Sequence, residues 1–488
     1  MKVGFVSLGC PKNLVDGEVM LGLVRDAGHE ITRDAAGADV LVVNTCAFID
    51  SAKQESIDAI LEMAGHKRDG RCARLVVTGC LAERYRHELK RDIPEIDAVL
   101  GTGEVPEIVR TLGTPTQAPG ASAAHVERRP LTFFSRAPSG PGGTDAGRAA
   151  MDRPLVVPDY LYDADTPRLL TTPAHFAYLK VAEGCDYTCA FCIIPKLRGA
   201  YRSRTVDSIV REARALAAGG VRELLLVSQD TTFFGIDRGE RGALPRLLRA
   251  LDTVDGLAWI RLLYLYPTTI TDEVLDAIGE CERVCRYIDL PLQHAAPDVL
   301  RRMRRPGNRQ AYERLLARIR HRVPGVTLRT TMIVGFPGET DADFAELEGF
   351  VRDTGFDHLG VFTYSHEDGT RAHELSDSVP IAVKRNRRGR LMSLQKGIVR
   401  RKQKARVGSE IRVMIDGPSV EHDLVLQGRT EGQAPEIDPV VYLTECDPGE
   451  FRPGQLIRAR VVGSRGYDLI VSPLEGGQPR DGDAPRRW

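Results

Sequence analysis

The sequence predicts an α/β protein in three folded parts: an N-terminal doubly wound α/β domain, a central partial (β/α)6 barrel and a small C-terminal antiparallel β-barrel. Three observations carry this. Apolar runs alternate with polar, helix-compatible stretches from Lys2 to about Val105. Six more strand–helix pairs follow from His175, and beyond residue 405 short strands succeed one another with only turn residues between them. At 488 residues the chain has room for about three domains of roughly 100–200 residues, each burying its own core.

The first domain is expected over 1–110. Its strands are VGFVSL, DVLVVN, RLVVTG and AVLG. From 111 to 173 the composition turns to Pro, Gly, Ala and Arg, with GTPTQAPGASAA and RAPSGPGGTDAGRAA. Such a stretch cannot bury enough apolar surface to fold, so a long disordered linker or insertion is expected there. The central barrel is expected over 174–404, with strands FAYLKV, ELLLVS, WIRLLYLY, YIDLPL, LRTTMIV and HLGVFTY, and a basic helix at its end. GSEIRVMID, LVLQGRT, VVYLTE, QLIRARVVG and YDLIVS then predict five short strands over 405–476. A disordered tail is expected over 477–488. No internal repeat is present.

Lys+Arg and Asp+Glu both total 67, which removes any global electrostatic case for nucleic-acid or membrane binding. The opening MKVGFVSLGC has no secretory pattern, and no apolar run reaches the ~20 residues of a membrane span, so a soluble cytoplasmic protein is expected. Ten cysteines in a reducing compartment then call for metal ligation, catalysis or burial rather than disulfides.

Spacing separates those uses. EGCDYTCAFCIIP sets Cys185, Cys189 and Cys192 in a C-x3-C-x2-C pattern directly after a predicted strand. Three thiolates on one loop suit a [4Fe–4S] cluster, and three ligands for four irons leave one iron open to another molecule. A zinc site and plain buried thiols are the other readings of the loop. Cys10, Cys46 and Cys80 lie far apart in sequence, yet each follows a predicted strand: SLGC, VNTC and VTGC. Parallel strands bring such ends to one edge, where ligands of open α/β sheets bind, so a second open-site cluster is the natural occupant. Three ordinary half-buried cysteines are the alternative. Cys72, Cys281, Cys285 and Cys446 fit no ligand pattern and are left out of the sites; Cys281 and Cys285, four apart on a helical stretch, read as packing.

The loop spacing resembles that of the radical S-adenosylmethionine superfamily. The resemblance implies that the open iron chelates the methionyl amine and carboxylate, and that an electron cleaves the sulfonium to a 5′-deoxyadenosyl radical. On that reading Cys185, Cys189 and Cys192 are catalytic. The likeness extends to Ser228, Gln229 and Asp230 after the second barrel strand and to Gly335, Phe336, Pro337, Gly338 and Glu339 after the fifth. It implies that these hold adenosylmethionine, although Gly-Phe-Pro-Gly also reads as a tight turn.

A three-cysteine N-terminal domain, a radical barrel and a TRAM-like terminal barrel together resemble the methylthiotransferase family over nearly the whole chain outside the linker. SLGCPKNLVDGE, IIPKLRGAYRSR, LPLQHAAPDVLRRMRR, TMIVGFPGET and APEIDPVVYL are similar to its ribosomal-protein aspartate branch. The transfer RNA branch would carry Gln-Met-Asn in place of Pro11, Lys12 and Asn13, and Tyr-Thr in place of Lys196 and Leu197. Gly17 departs from the family, which commonly has serine there. The resemblance implies two [4Fe–4S] clusters and two S-adenosylmethionine molecules. One donates a methyl to a sulfur held at the Cys10/Cys46/Cys80 cluster; the other generates the radical. The implied target is the β-carbon of an aspartate in a small-subunit ribosomal protein, free or on the ribosome, with the electron and sulfur donors left open. That carbon is an unactivated methylene beyond the reach of a general base, so hydrogen abstraction by a radical is the practical route.

Charge points the same way without the family. Ala405–Glu475 holds seven Arg, no Lys and twelve Asp+Glu, a composition that repels a phosphate backbone and suits a basic protein partner, a merely solvated acidic surface being the other reading of the charge. Lys384–Arg406 holds eleven Lys+Arg and no acid, which suits either a secondary contact with ribosomal RNA or an exposed helix packed on the acidic barrel. The competing functions are methylthiolation of a transfer RNA adenosine and, from another class, a noncatalytic iron–sulfur factor associated with the ribosome. A plain methyltransferase would leave the C-x3-C-x2-C loop without a use.

Overall fold

Val40–Thr45 is apolar nearly from end to end, and all six residues are buried, as a strand covered on both faces requires. It lies at the centre of a five-stranded parallel sheet in the order Glu30–Thr32, Lys2–Ser7, Val40–Thr45, Arg74–Gly79, Ile96–Leu100. Four of these strands were expected. The fifth, Glu30–Thr32, is a half-exposed edge of three residues with no apolar run to announce it. The computed structural model describes residues 1–113, 158–419 and 424–474. The chain forms two units: Met1–Leu169 with Ile193–Ala200, and Leu170–Cys192 with Tyr201–Trp488.

The disordered linker expected over 111–173 is contradicted at both ends. Helix Ile108–Leu112 carries the first unit past residue 110. From Pro158 the chain is packed again, with Tyr162 buried and Arg168 Nη2 held 2.6 Å from the buried Glu18 Oε2. Residues 114–157 and the expected tail at 477–488 lie outside the described residues.

In the second unit six parallel strands appear in the expected order, as two sheets of three. Trp259–Leu262, Glu223–Val227 and Phe176–Lys180 form one; Tyr287–Asp289, Thr327–Val334 and His358–Thr363 form the other. A bridge from Ile260 to Val284 links them, and one continuous apolar core fills the interior. The third strand is half the length expected because Tyr264 turns left-handed at φ 60 and ends it. A two-residue antiparallel ladder, Ala182–Glu183 with Arg202–Ser203, closes the base of the excursion that carries the cysteine loop.

The last five strands close into a barrel in the order Glu410–Pro418, Leu426–Arg429, Val441–Leu443, Asp468–Pro473, Leu456–Arg465. Its pairings are antiparallel except that of Val441–Leu443 with Asp468–Pro473. The barrel is bolted to the starts of the central strands by buried charge. Glu223 is fully buried and receives Arg261 Nε at 2.8 Å and Arg429 Nη1 at 2.6 Å. Asp416 takes Arg429 and His175, Asp438 takes Tyr287 and Arg329, and Glu436 takes Tyr178.

These contacts correct the charge reading. The carboxylates of the terminal barrel at 416, 436 and 438 are engaged by the central barrel, and Glu410 pairs with Arg458 and Arg460, so composition alone overstated an outward acidic face. Replacing Glu223 by alanine is expected to cost about 3–5 kcal/mol, because the buried Arg261 loses its carboxylate partner and Arg429 keeps only Asp416. Urea denaturation of the full chain checks this, and a loss under about 1 kcal/mol would contradict the network's role.

The basic helix is Ile381–Arg406. Leu391, Gln395, Ile398 and Val399 face inward. Lys384 pairs with Asp377, Arg387 with Glu339, Arg390 with Glu348 and Lys402 with Asp357. Arg385, Lys396, Arg400, Arg401 and Lys404 remain on its exposed face. Among the described residues no helix is long and apolar enough to cross a membrane.

Candidate functional site: two three-thiol sets

In the first unit, the sheet order places Lys2–Ser7 and Val40–Thr45 side by side while their following connections diverge, which is the point where open α/β sheets bind ligands. Cys10 and Cys46 follow these two strands, and Cys80 follows the neighbouring Arg74–Gly79. The thiols feel one another: burial pushes Cys46 up to about 12, and the neighbouring Cys80 and Cys10 push in the same direction. Burial also raises Cys80, against the pull of Arg198.

Close backbone approach makes this convergence possible. Gly9 has φ +94, and a Cβ there would stand 2.8 Å from Cys46 Cβ and 3.1 Å from its Sγ. Gly79 has φ +93, and a Cβ there would stand 2.6 Å from Thr45 O. Cys10 caps the sixteen-residue helix Pro11–Asp26, whose Pro11 occupies the first turn and whose N-terminal dipole favours anionic ligands beside it. Ser56 Oγ accepts from Cys46 N at 2.9 Å and donates to Cys46 O at 3.0 Å, fixing that backbone. At Gly17 a Cβ would meet Ser7 Oγ at 3.1 Å and Asn44 Nδ2 at 3.2 Å, so a side chain there needs its neighbours to yield slightly.

In the second unit, Cys185, Cys189 and Cys192 follow Phe176–Lys180 on one half-exposed loop. Burial is the main reason Cys185 is pushed up to about 11, with Cys189 adding to it. The loop is pinned by Ala190 N donating to Met303 O at 2.8 Å and by Ala372 N donating to Ala190 O at 2.8 Å. Arg305 Nη1 stands 3.8 Å from Cys189 Sγ, with its guanidinium 4.2 Å above the Tyr266 ring. Tyr266 stacks on Tyr187 at 3.8 Å, and Tyr187 donates to Asp230 at 2.9 Å.

Among the described residues neither set closes into the tight group that grips a single metal ion. A multi-iron cluster spreads its ligands wider than one ion does, and an all-thiol set is what iron–sulfur clusters take, so the donor chemistry fits. Zinc, the other sequence reading of the loop, would draw its ligands together around one centre.

The expected adenosylmethionine contacts divide. Ser228 is fully buried against Thr231, and Asp230 accepts from Tyr187, Thr232 and Thr269, burial raising its pKa nonetheless. Glu339 is engaged on both oxygens: Oε2 accepts from Gly335 N at 2.7 Å and Phe336 N at 3.2 Å, and Oε1 accepts from Arg387 at 2.8 Å. Pro337 O and Gly338 O accept from Arg302. The Ser228, Asp230 and Glu339 side chains thus shape the strand ends and the 335–339 turn. Gln229 differs, because its Oε1 is buried with no hydrogen-bond partner among the described residues.

Sequence reasoning missed three groups at the same strand ends. Gln293 is left-handed at φ 73 with its Oε1 buried and unpartnered. A non-glycine residue held there stores strain of the kind that clusters at ligand sites. His294 is fully buried, its Nδ1 accepts from Ala296 N at 3.0 Å, and its Nε2 has no hydrogen-bond partner among the described residues. Arg305 lay within LPLQHAAPDVLRRMRR, but nothing in that pattern separates it from the three other arginines beside it.

Three family descriptions match the chain in series: Uncharacterized protein family UPF0004 over residues 2–101, the Radical SAM superfamily over 179–351 and the TRAM domain over 407–473. A solved structure of the radical S-adenosylmethionine methyltransferase TsrM from Kitasatospora setae shares the fold, with a TM-score of 0.50 at 18% identity over 74% of each chain. The chain is 48% identical to the ribosomal protein uS12 methylthiotransferase RimO of Koribacter versatilis, covering 97% of this chain and 96% of the relative. It is also 48% identical to the protein of the same name from Symbiobacterium thermophilum, covering 97% of this chain and 91% of that one. By this near full-length likeness, the chain belongs to the ribosomal protein uS12 methylthiotransferase family.

Proposed function

We propose that this protein inserts a methylthio group at the β-carbon of an aspartate in ribosomal protein uS12, in the cytoplasm, using S-adenosylmethionine and two [4Fe–4S] clusters. The observation that carries this reading is the presence of both three-cysteine sets in a chain 48% identical, over 97% of its length, to a protein named for that reaction. When bound, the clusters supply the electron that cleaves adenosylmethionine and the site at which the transferred sulfur is held. Cys185, Cys189 and Cys192 are the ligands for the first role and Cys10, Cys46 and Cys80 for the second.

The surrounding residues hold and shape. Each thiol must lose its proton to ligate iron, so the burial that raises Cys46 and Cys185 makes iron loading release protons and favours loading at higher pH. Asp230 orients Tyr187 within the cysteine loop, and Glu339 with Arg387 fixes the Gly335–Gly338 backbone for the cofactor. Gln229 and Gln293 offer buried carbonyl oxygens that an adenosylmethionine amine or hydroxyl would satisfy. The exposed Arg385, Lys396, Arg400, Arg401 and Lys404 support a secondary contact with ribosomal RNA beside the protein target.

The test is anaerobic reconstitution with iron and sulfide, then incubation with reductant, adenosylmethionine and either a peptide from the uS12 target loop or bulk transfer RNA. Mass spectrometry is expected to show one methylthio group on the peptide aspartate and none on the RNA. Modification of the RNA alone would overturn the substrate.

A further inference from the structure

We infer that Arg198 is a positioning residue for the Cys10/Cys46/Cys80 set, its guanidinium held against the Cys80 sulfur so as to raise the reduction potential of the cluster bound there. This rests on the proposed reading of those cysteines as ligands.

Arg198 ends the short helix Ile194–Arg198, which belongs to the first unit although it follows Cys192 in the chain. Ile193 and Leu197, four residues apart, are buried in that unit's core together with Leu81 and Ala82. Thr102 Oγ1 donates to Leu197 O at 2.5 Å and fixes the helix end. Gly199, at φ +74, turns the chain away directly after Arg198.

The guanidinium is delivered to one spot. Its side chain is 3% exposed. Nη1 donates to Asp16 Oδ2 at 2.5 Å, and Nη2 reaches Asn13 Oδ1 at 3.3 Å and Cys80 Sγ at 3.4 Å. Asn13 is itself anchored, since its Nδ2 donates to Leu8 O at 2.7 Å and Thr45 O at 3.2 Å, the residues just before Gly9–Cys10 and Cys46. The same amide thus ties two thiol-bearing turns together and steadies the arginine aimed at the third. The carboxylates of Asp16 and Glu83 face Arg198.

A buried Arg–Asp pair is commonly structural, and its fork then lies flat on the carboxylate with both nitrogens. Here Nη1 donates to Asp16, and Nη2 is directed at Asn13 and the Cys80 sulfur. Cluster potentials follow net charge and hydrogen bonds to the sulfurs. A cation donating to a ligand sulfur stabilises the reduced, more negative form.

The experiment uses the full chain with Cys185, Cys189 and Cys192 all replaced by alanine, so that iron loads only the first set. After anaerobic reconstitution, the one-electron reduction by added dithionite is followed potentiometrically by electron paramagnetic resonance. Arg198→Gln is expected to shift the midpoint downward and Asp16→Asn to shift it upward, with Arg198→Lys between Arg198→Gln and the parent. A merely structural pair would move both variants the same way, so shifts of one sign, or an unchanged midpoint in Arg198→Gln, overturn the inference. If Arg198→Gln fails to hold iron, the position of Arg198→Lys below the parent decides. A parent that loads no iron refutes the ligand reading itself, and the role of Arg198 falls with it.

Discussion

Replacing Cys189 by alanine is expected to abolish 5′-deoxyadenosine formation, lowering it by more than about a hundredfold, since loss of a ligand exceeds the 10–100-fold cost of losing one of its supporting contacts. Cys189 is the central thiol of the loop and carries the contact with Arg305 Nη1 at 3.8 Å, so the alanine removes a ligand and also leaves that buried cation without its sulfur. The loop backbone should survive, because Ala190 is held by Met303 on one side and Ala372 on the other. Methylthio transfer is expected to vanish with it. Chromatography of the reduced protein with adenosylmethionine checks this, and undiminished 5′-deoxyadenosine would remove Cys189 from the ligand set.

Replacing Cys46 by alanine is expected to have the opposite profile. Adenosylmethionine cleavage should stay within about twofold of the parent, while methylthio transfer falls by more than about a hundredfold. The Cys46 backbone is held by donating from its N to Ser56 Oγ and accepting at its O from Ser56 Oγ, so the truncation leaves the turn in place and takes away only the thiol. Cleavage without insertion is what two separate sets with separate roles require. Retained insertion would mean that the sulfur is held elsewhere, and loss of both reactions would mean that the sets act as one.

Much of this was legible because cysteine positions and parallel strands obey simple rules. SLGC, VNTC and VTGC each end an apolar run, and parallel strands necessarily bring such ends to one edge. The central strand Val40–Thr45 read clearly for the same reason that it is buried on both faces. Short or exposed elements left no comparable trace: Glu30–Thr32 is an edge of three residues, and the ladder of Ala182–Glu183 with Arg202–Ser203 spans two. Direction was the second loss. Counting carboxylates in the terminal barrel gave a correct charge and an overstated surface, since Asp416 and Asp438 face the central barrel, where His175 and Arg329 meet them. Glu339 lies in the expected stretch, and the structure adds that it accepts from its own turn at Gly335 N. Arg198 and Arg305 escaped because a single cation beside a thiol has no periodicity; only the folded chain brings Arg198 to Cys80 across 118 positions of sequence.

The claim that two independent thiol sets each hold a cluster is tested most directly by iron and sulfide analysis after anaerobic reconstitution of three forms. These are the parent chain, a Cys10/Cys46/Cys80 triple alanine variant and a Cys185/Cys189/Cys192 triple alanine variant. The expected result is about eight irons per parent chain and about four in each variant, with a [4Fe–4S] spectrum in all three. A parent with only four irons, lost entirely in one triple variant and unchanged in the other, would contradict it.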